Sequence, residues 1–394
     1  VALARPGQEG TPDLDLYHLG NSPAHAYVYR AALARPGVAA LHEWSLHHLV
    51  LHETVERGQA WAYLREMRRA HGEAGSFVGR QVARALGGDL LPALFPLSQR
   101  VLESSLAVVG LTQHVCTRAR AALPGRPVLH LPHHLSLPLD PLPSAEAARA
   151  ALGLPPAGPL LVAPGLATTA KRLDAAVRLL ARLREAHPQA RLVAAGAVDP
   201  ALPLMEMAER HRVADAVHVT GRLGLDGFVR ALCAADLVLA LRFPTHGEIS
   251  GALVRALGVG RPALVTAGTP AEEEFPEGVV VPVAPGAAED EELFALADHL
   301  LRRPGLRARI GALARAHVQR RHGLAQTMAA LCAFLDEVLS RARPLREAVE
   351  EARRAGEGLL GFFSEEVRAG ARDLGLHGVD LGLRPLLAPL AGGA

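Results

Sequence analysis

Short apolar runs, each closed by a glycine or a polar residue and separated by amphipathic stretches, constrain this chain more than any other feature. From Pro159 onward "LLVAP" is followed by a loop and then "LDAAVRLLARLREAH", where Leu173, Ala176, Val177, Leu180 and Leu183 recur at helical spacing. "ARLVAAG" ends at Gly196, "AVHVTG" at Gly221 and "ADLVLAL" near Arg242, and "RPALVT" and "VVVPV" follow. Strands this apolar, alternating with helices, predict a parallel sheet covered on both faces. The first half reads the same way. "LDLYHLGN" predicts a strand ending at His18 to Asn21, Ser22-Pro23 a helix start, and "GVAALH" a strand ending at His42. A mostly helical segment from about Leu46 to Arg100 precedes the strands "LAVVGLT" and "RPVLHLP".

At 394 residues two domains are expected, and proline-rich "PHHLSLPLDPLP", Pro132 to Pro143, has the composition of a linker. The expected boundaries are 1–135, 136–341 and a helical extension with its tail over 342–394. The fold class is therefore α/β, with two Rossmann-like domains, parallel sheets flanked by helices and a C-terminal helical extension. A net charge of +2 gives no field that would recruit nucleic acid. No run of about 18 uncharged apolar residues indicates a transmembrane helix. Cys116, Cys233 and Cys332 lie far apart, in neither a zinc nor a disulfide spacing, so a cytoplasmic location is expected. Around "GEGLLGFFSEEV" the apolar Leu359, Leu360, Phe362 and Phe363 lie close together. Docking on the first domain is favoured there over peripheral membrane contact, because basic residues are not concentrated nearby.

The chain carries 42 basic residues, of which Lys171 is the one lysine. Codon bias toward arginine accounts for the rest but not for its position. In open parallel sheets ligands sit beyond the carboxyl ends of the strands. Gly165 to Lys171 follows one strand, Gly196 and Gly221 follow two more, and "RFPTHGEISG" follows a fourth, all on that edge. The Thr245 to Gly251 loop enters a helix whose N–H groups and dipole suit a phosphate. A lysine is a compact, mobile charge suited to an anion whose geometry changes, so Lys171 is a candidate phosphate ligand; the competing reading is a solvated surface charge. Glu248 could equally be an exposed first-turn acid, and Arg242 could pair with a surface acid.

Of the 19 histidines most are ordinary. "LHEWSLHHL" places histidines at 47 and 48 after His42-Glu43, so the H-E-x-x-H metal motif is not met. His133 and His134 read as linker residues. His42 differs because it ends a strand on the ligand edge of the first domain.

"RFPTHGEISGALVRALGVGRPALVT", with "GLATTAKRLDAA" and "ALHEWSLHHL", resembles the family 4 retaining nucleotide-sugar glycosyltransferases, which have two facing Rossmann-like domains, the GT-B fold. The resemblance covers roughly Asp13 to Val338. It implies a hexosyltransferase-type enzyme with the nucleotide diphosphate sugar on the second domain and an unidentified acceptor on the first. It also implies roles: Lys171 on the diphosphate, Gly165 opening the same loop, Glu248 on the donor, Ser250 and Gly251 offering backbone N–H groups, and His42 near the transferred sugar. Ile249 lies within the same donor loop. Where the family often has an arginine after the loop glycine stands Leu166, for which Arg242 is the candidate substitute. At the second acid of the family's glutamate pair stands Arg255. Family members begin with a strand and a glycine-rich loop that these residues do not include, so the first domain reads as incomplete.

The D-x-D pair at Asp13 and Asp15 precedes a strand, so metal-independent transfer without a cofactor is expected, the donor being a co-substrate. A place in glycan biosynthesis and retention of configuration are expected as well, the latter implied by the resemblance alone. Two other readings stay open: a noncatalytic nucleotide-, sugar- or protein-binding scaffold, and another enzyme on this fold, such as an epimerase or a phosphorylase.

Overall fold

The computed structural model describes residues 13–355 together with 362, 363 and 367. Two parallel sheets organise them. The first runs β1 (Leu16–Leu19), α1 (Ala26–Ala34), β2 (Val38–Leu41), α2 (His47–Glu53), α3 (Ala60–Ala83), α4 (Leu91–Leu94), α5 (Gln99–Glu103), β3 (Ala107–Gly110), α6 (Gln113–Ala122) and β4 (Val128–His130), with strand order β1-β2-β3-β4. The second runs α7 (Ala145–Ala151), β5 (Leu160–Pro164), α8 (Leu173–Ala186), β6 (Arg191–Ala195), α9 (Leu204–Arg210), β7 (Val217–Val219), α10 (Leu225–Ala234), β8 (Leu237–Ala240), α11 (Gly251–Gly258), β9 (Ala263–Thr266), α12 (Pro270–Glu273), β10 (Val281–Val283), α13 (Glu289–Leu301) and α14 (Pro304–Arg321). Its strand order is β10-β9-β8-β5-β6-β7. Two last helices follow, α15 (Leu324–Ser340) and α16 (Ala342–Ala355).

The central strands of both sheets are buried on both faces, which is why they read as unbroken apolar runs. In β5, Leu160 and Val162 face one core while Leu161 and Ala163 face the other. In β2, Ala39 and Leu41 pack on one side, Val38 and Ala40 on the other. The helical residues singled out in α8, Leu173, Ala176, Val177, Leu180 and Leu183, are all buried. Such double burial makes each strand short and apolar, and leaves the polar residues to the strand ends.

Leu331, Phe334 and Val338 of α15 pack with Val38, Ala40 and Leu106 of the first sheet, as do Leu345 and Val349 of α16. By its contacts α15 therefore sits with the first sheet, although 136–341 would group it with the second. Phe362 is buried, and the Phe363 ring lies 6.0 Å from that of Trp61 on α3. Those two aromatics dock on the first body; Leu359 and Leu360 lie outside the described residues. Among the described residues no helix is long and apolar enough to cross a membrane.

In the second sheet the chain order reverses between β5 and β8. Loops leaving those neighbouring strands in opposite directions open a crevice between them. The loops in question carry Lys171 and residues 242–251.

Candidate functional site

Beyond β5 the chain turns at Gly165, whose φ of +86° favours glycine, and its N–H donates to the Ala195 carbonyl at 2.9 Å. The Lys171 ammonium folds back and donates to the Pro164 carbonyl at 2.5 Å. A Cβ on Gly165 would lie 2.6 Å from that Nζ, so the bare glycine is what gives the ammonium its room. Burial, and then the charge of Arg242, push the Lys171 pKa down to about 8. Arg172, at φ +52°, pairs with the buried Glu289 that opens α13 and braces the loop from behind.

The loop after β8 meets this one directly, since Phe243 N donates to the Ala170 carbonyl at 2.8 Å. Arg242 Nη1 donates to Glu248 Oε1 at 2.6 Å, and Glu248 Oε2 accepts from His246 N at 2.7 Å and Thr245 Oγ1 at 3.2 Å. Burial pushes the Glu248 carboxyl up, but Arg242 and the backbone N–H groups outweigh it and hold the group below its usual range. The acid that could have been an exposed first-turn residue is thus a half-buried partner of Arg242. Ser250 caps α11 by accepting from Leu253 N at 3.4 Å, which leaves its O–H and its backbone N–H to offer a ligand. Ile249 corrects the sequence expectation in part: its side chain is buried in the core beneath β8 and β9, which leaves the backbone alone to serve the loop.

The first body meets this loop head on. Trp44 N and Ser45 N donate to the His246 carbonyl at 2.7 and 3.1 Å, and Thr112 Oγ1 donates to the Gly247 carbonyl at 2.9 Å. Gly247, at φ +89°, carries no Cβ because one would lie 2.8 Å from Trp44 Cβ. His42 follows β2 at the same edge. Its Nε2 lies 3.2 Å from His18 Nδ1, and its ring stands edge-on to those of His18 and His25 at 5.5 and 5.7 Å. Burial, and then His18, His25 and His133, push its pKa down to about 4, so the ring is neutral at pH 7. His47 has both ring nitrogens engaged, Nδ1 with the Phe95 carbonyl at 2.6 Å and Nε2 with the Tyr63 hydroxyl at 3.0 Å. It is a core residue, as the missing H-E-x-x-H spacing implies.

The sites named from sequence therefore converge: Gly165, Lys171, Arg242, Glu248, Ser250 and Gly251 line one crevice, and His42 stands across it. Sequence reading missed Glu43, Trp44 and His246, which join the two bodies, and the role of Arg255. Arg255 donates to the Gly251 carbonyl at 3.1 Å and the Ser136 carbonyl at 3.3 Å, tying the linker to α11. The glycine of "THGE" was the available signal, because a glycine between polar residues marks a close backbone approach. Glu43, His246 and Glu248 bring one ligand atom each within 4.8 Å of one another. Within that group Glu248 is already paired with Arg242, whose charge is also felt at Lys171.

Residues 171–333 match the family model described as "Glycosyl transferase-like". No curated protein matches the chain. Among solved structures, HepE of Anabaena in complex with UDP-glucose superposes with a TM-score of 0.57 at 18% identity, covering 82% of this chain and 79% of that one. Sucrose-phosphate synthase of Thermosynechococcus elongatus gives 0.56 at 16%, covering 81% and 78%. WaaG, a glycosyltransferase involved in lipopolysaccharide biosynthesis, gives 0.52 at 19%, covering 75% and 74%. The chain thus carries the two-domain GT-B fold, and its second domain is similar to the glycosyltransferases of group 1.

Proposed function

We propose that the protein is a glycosyltransferase that takes a hexosyl group from a nucleotide diphosphate sugar and gives it to an acceptor hydroxyl. The observation that carries this reading is the seat around Lys171. The chain's one lysine stands half-buried beside the Arg242–Glu248 pair at the crevice, next to a helix N-terminus that suits phosphate. HepE, of similar fold, was solved with UDP-glucose, which supports the same class of donor here. The donor diphosphate lies between the Gly165–Lys171 loop and the first turn of α11, and the acceptor enters from the side of His42.

The chemistry follows from charge. As the bond between the anomeric carbon and the diphosphate oxygen breaks, negative charge grows on the leaving diphosphate. Lys171 and the α11 dipole stabilise that charge in a site already arranged for it. Those groups replace a divalent cation, and transfer is metal-independent. Retention of anomeric configuration and a place in glycan biosynthesis in the cytoplasm belong to the same reading, by resemblance. His42, neutral at pH 7 and across the crevice, touches the transferred sugar or the acceptor as a hydrogen-bond partner.

The test is turnover of UDP-, GDP- and ADP-sugars against a panel of glycan, lipid and small-molecule acceptors, without metal. Donor consumption that requires an acceptor supports transfer. Donor change without acceptor would point to an epimerase. Binding of none of the donors would leave a scaffold, a reading to which the loss of the family acid at Arg255 lends some weight.

A further inference from the structure

The linker is held more firmly than a spacer needs. His322 Nδ1 donates to the His133 carbonyl at 2.7 Å, Leu135 N donates to the His322 carbonyl at 2.7 Å, and Arg255 Nε donates to the Ser136 carbonyl at 3.3 Å. Those three bonds fix the backbone on either side of His133. The ring is fixed as well. Its Nδ1 donates to the His134 carbonyl at 3.0 Å, and since a carbonyl can only accept, the proton of the neutral ring sits on Nδ1. Nε2 is left as a lone pair with no partner among the described residues. It lies over the first residue of α11: a Cβ on Gly251 would come within 2.8 Å of it. Glycine at that position therefore admits an imidazole to the helix N-terminus.

We propose that His133 is a ligand of the donor diphosphate, giving an Nε2–H to the phosphate seated at the N-terminus of α11. The proposal rests on the donor-site reading above and adds a residue that reaches the site from the linker. A lone pair repels a phosphate oxygen, so the ring must gain a proton from solvent as the donor binds, after which both ring nitrogens donate. The charged and titratable groups around it are Arg255 on α11, its neighbour His134, His42 beyond β2, and His322 after α14. Burial, with the charges of His134 and Arg255, holds His133 below the usual imidazole range, although its bond to the His134 carbonyl works the other way. Before the donor binds the ring is neutral at pH 7, and the anion supplies the field that protonates it. Arg255, by holding Ser136 and Gly251 together, is the positioning residue for this contact.

The experiment is calorimetric titration of UDP-glucose, GDP-mannose and ADP-glucose at pH 7.0, in buffers of low and high ionisation enthalpy. A diphosphate esterified at both ends does not titrate near neutrality. With its pKa at about 8, Lys171 is already mostly charged at that pH. The wild-type protein is expected to take up a large part of one proton on binding its donor. His133→Ala is expected to take up none and to bind about tenfold more weakly, as for loss of a charged hydrogen bond. His133→Gln, which keeps a donor but cannot titrate, should recover part of the affinity without the proton. His211→Ala, at an exposed position after α9, should keep both. Matching thermal melting curves establish that the variants are folded. Unchanged affinity and unchanged proton uptake in His133→Ala would overturn the proposal while leaving the donor site standing. Failure of the wild-type protein to bind any of the three would remove the donor-site reading, and this inference with it.

Discussion

The two sides of the crevice are built from the same kind of sheet but carry opposite electrostatics. On the second sheet's edge stand a half-buried ammonium at Lys171, the Arg242–Glu248 pair and a capped helix start. On the first sheet's edge stand imidazoles, with His42 held near pKa 4 and His18 also held below its usual range, beside the Glu43 carboxylate that accepts from Asn21 N, so that side offers no fixed cation at pH 7. A parallel sheet delivers loops to one edge whatever their sequence. What differs is which residues those loops bring, and here one half suits an anion and the other a neutral polyol. The difference between the two edges lies in the side chains, since the backbone plan is common to both halves.

If the charged half does the electrostatic work, the largest effect should come from removing its one ammonium. Lys171→Ala is expected to lower kcat/KM for the donor by about a hundredfold or more, the scale for losing a group aimed at developing charge. His42→Ala, on the imidazole side, should cost less in donor binding than in acceptor-dependent turnover. Equal losses of donor affinity in the two variants would erase the contrast.

The contact between the halves offers the next test. Gly247→Val forces a side chain onto Trp44 and into a left-handed backbone, a strain of roughly 1–3 kcal/mol. Domain opening seen by small-angle scattering, with donor affinity down about tenfold, is the expected result. Unchanged scattering and affinity would mean that the loop does not need the first body.

A pH series sharpens the comparison further. The ammonium grips phosphate when protonated, so in His133→Ala, where no imidazole takes up a proton, donor affinity should be level between pH 7 and 7.5 and fall toward tenfold per unit above about 8, whereas the proton gained by His133 makes wild-type affinity fall already at pH 7. Added to His133→Ala, Lys171→Arg should abolish the fall above about 8, because a guanidinium keeps its charge. Stability has the opposite sign. The folded pKa lies below the unfolded value of 10.5, so the unfolded chain binds more protons across that window and Lys171's contribution to stability rises from about pH 8 to 10.5. The smallest expected effect is that of Thr112→Val, which removes a hydroxyl that both bonds the Gly247 carbonyl and caps α6, and should cost about 2 kcal/mol by denaturant unfolding.

Much of this was legible in the sequence for identifiable reasons. Strands buried on both faces leave apolar runs, and the order of β5 to β10 followed from them. Lys171 stood out because its residue type is unique in the chain. What escaped depends on groups far apart in sequence. Ile249 sits between two polar residues, yet its side chain turns into the core. Arg255 occupies an acid's position in the family pattern, but its partners, Ser136 and Gly251, come from the linker and its own helix start. Trp44 and Ser45 bind the loop through backbone groups, which leave no mark on residue type. The packing of α15 on the first sheet depends on how the two bodies meet, and helical periodicity carries no information about that.

The most direct measurement of the central claim is calorimetric titration of UDP, GDP and ADP, without metal at pH 7, into the wild-type protein and the Lys171→Ala variant. One nucleotide binding the wild type at micromolar concentration, with that binding lost in the variant, is the predicted result. Equal affinity in both proteins, or no binding to either, would contradict a donor site built on Lys171.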